Sequence, residues 1–296
     1  MKNIKIIFLI IIAILITGCS NEQKKNNKVT EYSLDSVHEV NGRQGIATDG
    51  KYYWVSGSTT LTKYDKDWNI VKENTNPFKG YELEVNHIGD IDVYNNELYL
   101  GVEYFMDGVG KNIQVAVYDG DTLELKRTFE FSDETGQLEC SGITVDPDGG
   151  YVYMVSWIDD ESSDNIYMYD LDREKYLGKI LMDFPPKWIQ GIAYYDKNLY
   201  VTADDGDADE DEPDNMYKIE LAENMNTGKV TKEYTFDDVK KQGEIEGLSF
   251  DKKNNKFLLL YNRGARIVLG MPKGFYDGYT EEIHEVYIYN IENKRN

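Results

Sequence analysis

The chain predicts an all-β protein, a β-propeller of five four-stranded blades, and three observations predict it. One short pattern returns five times, with its aligned positions at 45, 90, 142, 191 and 247 of the 296 residues. Each return leads into further short apolar runs separated by turn residues, the sequence signature of a repeat of about 40–50 residues. No apolar stripe of helical period is long enough to predict a helix-rich second domain.

The first strand of each unit is Gln44-Gly45-Ile46-Ala47-Thr48-Asp49, Gly89-Asp90-Ile91-Asp92-Val93-Tyr94, Ser141-Gly142-Ile143-Thr144-Val145-Asp146, Gln190-Gly191-Ile192-Ala193-Tyr194-Tyr195 or Glu246-Gly247-Leu248-Ser249-Phe250-Asp251. The second is Tyr52-Tyr53-Trp54-Val55, Leu98-Tyr99-Leu100, Val152-Tyr153-Met154-Val155, Leu199-Tyr200-Val201 or Phe257-Leu258-Leu259-Leu260. Asp49-Gly50, Asn95-Asn96, Asp148-Gly149 and Asn254-Asn255 lie between them, as tight hairpins need. A third run alternates, as in Val115-Ala116-Val117-Tyr118-Asp119 and Ile166-Tyr167-Met168-Tyr169-Asp170. A fourth follows in the first four units, as in Leu125-Lys126-Arg127-Thr128-Phe129. The fifth unit stops after three strands, and Val29-Thr30-Glu31-Tyr32-Ser33-Leu34 is one strand without a unit. Joined to the last blade, it would close the ring and cover an open edge. Six blades is the alternative, if 263–282 holds more strands. The 24 Tyr fit half-buried pleated strands.

Ahead of the repeats, Met1-Lys2-Asn3-Ile4-Lys5 is basic, 6–16 is uncharged and apolar, and Thr17-Gly18-Cys19 follows. This is the layout of a secretory signal, too short to span as an ordinary transmembrane helix. Ile16-Thr17-Gly18-Cys19 resembles the lipobox of bacterial lipoproteins. The resemblance implies cleavage before Cys19, diacylglycerol on its sulfur, and a place at the extracytoplasmic face of the cell membrane. The expected division is a signal peptide 1–18, a lipid-anchored polar tether 19–28, a propeller 29–292 and a tail 293–296. With Cys19 lipidated, Cys140 has no disulfide partner and is expected as a small buried residue.

The chain carries 54 acids against 32 Lys and Arg, a net charge of −22 that becomes −24 when the signal takes Lys2 and Lys5 with it. Such a surface repels phosphate backbones, which argues against nucleic acid as a partner. It also repels anionic headgroups, leaving membrane attachment to the lipid. The aromatic content, 13%, is too high for an acidic disordered chain.

In the fifth unit, Glu244-Ile245-Glu246-Gly247-Leu248-Ser249-Phe250-Asp251 resembles the E-G-L-S-x-D strand of the SdiA-regulated and phytase-like propeller families. The chain also broadly resembles YncE-type repeat propellers. A phytase-like propeller implies carboxylates and calcium, but no further motif maps residue by residue onto such a site.

Propeller topology puts the start of every inner strand and every second-to-third connection on one face. Four of those connections are long, 103–112, 157–165, 203–215 and 262–285, and only 56–60 is short. Long ordered loops are disproportionately functional, so this is the expected working face. Gln44, His87, Asp90, Glu139, Ser141, Trp188, Gln190, Glu244 and Glu246 are expected to rim the channel there. Carboxylates converging on an axis raise one another's pKa or recruit a cation, so Asp90, Glu139 and Glu246 are candidate calcium ligands. In 204–214, eight of eleven residues are acidic, and Asp205, Asp207 and Asp209 have calcium-loop spacing. Glu210 stands where an EF-hand needs Gly, and Met216 where it needs the closing Glu. Arg263, Arg266, Phe275 and Tyr276 belong to an apolar, aromatic, basic segment, a candidate partner contact.

No Ser-His-Asp elbow, zinc spacing or phosphate loop is present, so no catalytic residue is assigned. The expected function is a binding lipoprotein whose loop-rich acidic face captures a protein, peptide or glycan, with calcium as the one cofactor considered. The alternative is a calcium-dependent hydrolase of phosphoester or glycosidic bonds with carboxylates at the channel, and a third reading is a structural surface scaffold.

Overall fold

The alternating runs form antiparallel strands because each has one face to bury against a neighbouring sheet. The computed structural model describes residues 28–158, 161–239, 242–268 and 271–295. Cys19, the expected signal and nearly all of the expected tether lie outside these. Residues 28–31 and 292–295 are strand ends assigned to a separate unit, and the account below concerns Tyr32–Ile291.

The first sheet runs β2 (Gly45–Thr48), β3 (Tyr53–Gly57), β4 (Thr60–Tyr64), β5 (Ile70–Asn74). The second runs β6 (His87–Tyr94), β7 (Glu97–Met106), β8 (Val109–Asp119), β9 (Leu125–Thr128). Next come β10 (Gly142–Asp146), β11 (Tyr151–Val155), β12 (Asn165–Asp170), β13 (Lys175–Met182), and then β14 (Ile189–Tyr195), β15 (Asn198–Ala203), β16 (Asn215–Leu221), β17 (Thr227–Thr235). These two sets join into one eight-stranded sheet because β13 and β17 pair in parallel at Leu181↔Thr227 and Met182↔Gly228. The last four-stranded sheet has the order β1 (Lys28–Glu39), β22 (Ile283–Arg295), β19 (Lys256–Arg263), β18 (Gly243–Asp251). The N-terminal strand is thus its outer edge. Within 263–282 there is a two-stranded hairpin, β20 (Ala265–Val268) with β21 (Met271–Phe275). A 3-10 turn at Asp133–Thr135 is the only helical element described.

Buried side chains collect between consecutive sheets. Trp54 and Leu61 pack with Ile88 and Leu100, and Tyr99 and Val117 with Ile143 and Met154. Val155 and Ile180 pack with Ile192 and Val201, and Tyr200 and Met216 with Phe257 and Tyr289. Leu258 and Val286 then pack with Ile46 and Val55, so the last sheet meets the first. The fold is all-β and propeller-like. Cys140 is fully buried, as expected of a lone small thiol.

The inner strands β2, β6, β10, β14 and β18 adjoin one another in that cyclic order. The repeat explains how they come so close. Four of the five aligned positions are Gly45, Gly142, Gly191 and Gly247, and the fifth is Asp90. A Cβ on Gly191 would lie 2.7 Å from the Gly247 Cα, and one on Gly247 would lie 2.8 Å from the Gly45 Cα. The space left by the missing side chains holds the Asp90 carboxylate, which Cβ atoms on Gly45 or Gly247 would overlap. Gly247→Ala must therefore displace backbone as well as Asp90. We expect a loss of about 3 kcal/mol or more, read as a lower midpoint of urea unfolding.

At the opposite end of the sheets the acids are structural. Oδ1 of Asp49, Asp146 and Asp251 accepts two backbone N–H bonds each in the first-to-second turns. Asp65, Asp119 and Asp170 do the same in the third-to-fourth turns. Part of the acidic surplus is thus consumed as turn chemistry.

Candidate functional site

The starts of inner strands, the end of β7, the residue Trp157 beyond β11 and Ile267 of β20 surround a small pocket of about 70 Å³. Arg43, Gln44, His87, Phe105, Glu139, Trp157, Gln190, Glu244, Glu246 and Ile267 line it. The strand polarity expected from the repeat thus gathers Gln44, His87, Glu139, Gln190, Glu244 and Glu246. Asp90 is placed otherwise than expected. It lies wholly inside, not on the rim, because its position is the axial glycine position of the other units. Its carboxylate accepts from Ile91 N at 2.8 Å and Ile192 N at 3.4 Å, with the Ile46 N–H also turned to it. Burial holds the Asp90 pKa well above the usual carboxylate range.

Two charge groups face each other across the pocket. On one side His87 Nδ1 and Glu103 Oε1 are 3.0 Å apart, and Glu103 Oε2 accepts from Cys140 N at 3.1 Å. Glu139 Oε2 accepts from Trp157 N at 2.6 Å. Burial pushes the Glu103 pKa up to about 8. Burial, reinforced by Glu103, holds Glu139 well above the carboxylate range. Burial, then Arg43, lowers His87 to about 4. His87 and Glu103 therefore meet at pH 7 as neutral partners in a hydrogen bond, not as an ion pair.

On the other side Arg43 Nη2 lies 3.1 Å from Glu244, 3.3 Å from Glu282 and 3.7 Å from Glu246. Gln190 Nε2 donates to Glu244 Oε1 at 3.0 Å, and Asn262 Nδ2 donates to Glu246 Oε1 at 2.6 Å. Against burial, these carboxylates keep Arg43 charged. Burial, then Glu244, raises Glu246 well above its ordinary value, with Arg43 opposing. Trp157 and Phe105 line the pocket; Trp157 lies 5.0 Å from Trp188 between ring centroids, and Phe105 lies 5.5 Å from the His87 ring, while Trp188, expected on the rim, is not among the lining residues. Ser141 Oγ, Ser156 Oγ and Gln137 Oε1, on the chain flanking Glu139 and Trp157, are buried without a hydrogen-bond partner.

Arg43, Glu103 and Asn262 were not expected here. Glu103 sits opposite His87 in the β6–β7 register, and Asn262 opposite Glu244 in β18–β19. Reading each rim residue together with its cross-strand partner would have found both.

The long connections differ in kind. The segment 103–112 is not a loop: β7 and β8 continue into a hairpin turning at Asp107-Gly108, both with positive φ. In 204–214 the three spaced acids have separate tasks. Asp205 accepts from Asn215 Nδ2 and Tyr217 Oη, Asp207 Oδ1 from Asp209 N and Glu210 N, and Asp209 from Arg266. Among the described residues no group of three or more His, Cys, Asp or Glu is placed to hold a metal ion. Arg263 pairs with Glu285 at 2.8 Å and faces Tyr279, and Arg266 lies 4.9 Å from the centre of the Tyr276 ring. Ile267 reaches the pocket, so the β20–β21 hairpin leans over its mouth, while Val268, Met271 and Phe275 stay exposed.

No protein-family model matches the chain, and no curated protein matches it in sequence. Among solved structures, glutaminyl cyclase of Myxococcus xanthus is similar at 9% identity and a TM-score of 0.54, over 90% of this chain and 98% of that one. Hydrazine synthase of Kuenenia stuttgartiensis is similar at 13% identity and a TM-score of 0.45, over 86% of this chain and 66% of that one. The first likeness supports the propeller-like fold alone.

Proposed function

We propose that the chain is a lipid-anchored, extracytoplasmic propeller of five blades that captures a peptide by its amino-terminal end at the channel mouth. The observation that carries the reading is the pocket itself, about 70 Å³, with the Trp157 and Phe105 rings and the carboxyl groups of Glu139 and Glu244 among its lining. That size admits an end group and little more. Aromatic faces and carboxylates together suit an ammonium group. The apolar residues of the β20–β21 hairpin beside the mouth supply a surface for the residues that follow.

The test is calorimetry on the mature chain with a peptide library, comparing free and acetylated amino termini. Acetylation should weaken binding at least about tenfold. Equal affinity of the two forms would rule the reading out. Lipid labelling of the wild type, and none of Cys19→Ser, is the expected result for the anchor.

A second reading, an enzyme working by proton transfer, is favoured by Glu103, whose pKa of about 8 suits an acid–base group near neutrality. Cyclisation of a glutaminyl residue, the activity in the name of the Myxococcus protein, is the first reaction to try. Calcium-dependent hydrolysis draws less support. Asp90 is consumed by backbone N–H groups, and Glu246 by Asn262 and Arg43.

A further inference from the structure

At the other end of the inner strands from the channel mouth lies a wider pocket of about 270 Å³. That is close to the lower end of the small-molecule range, about 300–1,000 Å³. All five inner strands reach it, through Thr48, Asp92, Thr144, Tyr194 and Ser249, and Val93 and Phe250 are among its apolar walls. It shares no lining residue with the channel mouth. The acids in its lining are already committed. Asp49 Oδ1 accepts from Lys51 N and Tyr52 N, and Asp251 Oδ1 from Lys253 N and Asn254 N. Asp92 Oδ1 accepts from Val93 N at 2.7 Å, and its Oδ2 from Thr144 Oγ1 and Val145 N, both at 2.8 Å.

Three donors in the same lining are uncommitted. Ser249 is only 6% exposed, yet its hydroxyl has no hydrogen-bond partner among the described residues. A hydroxyl that far buried normally has one, so its place in the pocket wall points to something that completes it there. Lys252 and Lys253 pair with no carboxylate among the described residues. Both are nevertheless held at the pocket. The Lys252 ammonium stands 5.1 Å from the centre of the Tyr194 ring, itself part of the wall. The Lys253 stem packs on Gly50 in the β2–β3 turn, where a Cβ would lie 2.9 Å from the Lys253 Cδ.

We propose that this pocket binds a small organic acid, a carboxylate or phosphate group carried on a compact apolar body. Two ammonium groups and a free hydroxyl call for an acceptor-rich group, and bonds from ammonium to an oxyanion are charge-assisted. The apolar walls suit the rest of such a molecule, since small-molecule sites combine a few placed polar groups with apolar lining. A cation is the poorer occupant, because it would meet two ammonium groups and carboxylate oxygens already turned to backbone N–H groups. The site goes beyond the peptide-capture reading and stands or falls without it, being at the other end of the strands.

The experiment titrates the mature chain with 4-hydroxybenzoate, with phenyl phosphate and with neutral 4-hydroxybenzamide, following the amide chemical shifts of Thr144, Ser249 and Lys253. At least one of the two acids should give saturable shifts at millimolar concentration, and the tighter of them identifies the head group. The amide should bind at least about tenfold more weakly. Lys252→Gln combined with Lys253→Gln should weaken the acid about tenfold and leave the amide unchanged. Ser249→Ala should melt at or above the wild-type temperature and bind the acid several-fold less well, a split that a purely structural serine would not give. Absence of saturable shifts with both acids overturns the proposal, as does an amide that binds as tightly as the acid. Shifts confined to Trp157 and Ile267 would place the acid at the channel mouth and overturn it equally.

Discussion

Asp90→Ala is expected to be the most damaging single truncation in the protein, at about 3–5 kcal/mol. Two costs combine. The carboxylate accepts backbone N–H bonds from Ile91 on its own strand and from Ile192 two inner strands away. Removing it leaves those donors buried and unpaired, at about 1–3 kcal/mol each. It also opens a void between β2, β6, β14 and β18, which four glycine positions leave no side chain to fill. Stabilities of this size of domain are typically about 5–15 kcal/mol, so the loss is a large share. Asp90→Asn keeps shape and an acceptor oxygen. Both carboxyl oxygens accept in the wild type, so the amide nitrogen leaves one buried donor unpaired, and a loss of about 1–3 kcal/mol, smaller than that of Asp90→Ala, is expected. Urea unfolding at constant m-value measures both variants. An Asp90→Ala midpoint equal to wild type would show that the axial carboxylate holds nothing.

The second large effect is a fall in stability between pH 6.5 and about 8. Glu103 has a native pKa of about 8 against an ordinary 4.5, and Asp214 about 7 against 3.8. Between the two values the folded chain keeps a proton that the unfolded chain has lost. The folded state then binds more protons, and stability declines as pH rises through that window. Glu139, Asp204 and Glu246, raised chiefly by burial, act in the same direction. His87, with a native pKa of about 4 against 6.5, acts oppositely, as do His38 and His284, which burial also lowers; these contributions are half spent at pH 6.5 and end about one pH unit higher. Over the interval to about 8 the more numerous carboxyl groups outweigh them. Melting temperatures at constant ionic strength should therefore drop from pH 6.5 to about 8, and Glu103→Gln should flatten the slope. The amide can still accept from Cys140 N, so the variant isolates the proton. A melting temperature that rises over this interval would refute the burial of these acids in ionisable form. The same titration bears on ligand capture: a cation entering the channel mouth should expel protons, and its affinity should increase over the same range.

Much of the fold was legible because its signal is local. Alternating apolar runs and Asp, Asn and Gly turns mark hairpins without knowledge of what packs on them. Asn95 and Asn96, for example, both take the positive φ that such turns require. The spare N-terminal strand likewise followed from pattern, and that strand pairs with β22. The segment 103–112 was misjudged because loop and long hairpin differ only in whether strand pairing continues, which Asp107-Gly108 at the tip decides. The candidate site was half legible. Position at the start of an inner strand selected Gln44, His87, Glu139, Gln190, Glu244 and Glu246. Their partners Glu103, Asn262 and Arg43 stayed hidden, since each is defined by what lies across a strand pair or beside the mouth.

The amino-acid sequence by itself determined the all-β class, the repeat, its polarity and therefore which end of the strands would carry the pocket. These follow from a period of two along each strand and a fixed order of hairpins. Only the tertiary structure decided what each acid does. Asp49 and Asp146 cap turns, Asp90 occupies the axis, burial raises the pKa of Glu103 and Glu139, and Asp204 and Asp214 line a separate pocket. The physical reason is that a carboxylate's role is set by burial, by the N–H groups that reach it and by neighbouring charge. Those come from residues far away in the chain, such as Ile192 for Asp90 and Arg43 for Glu244.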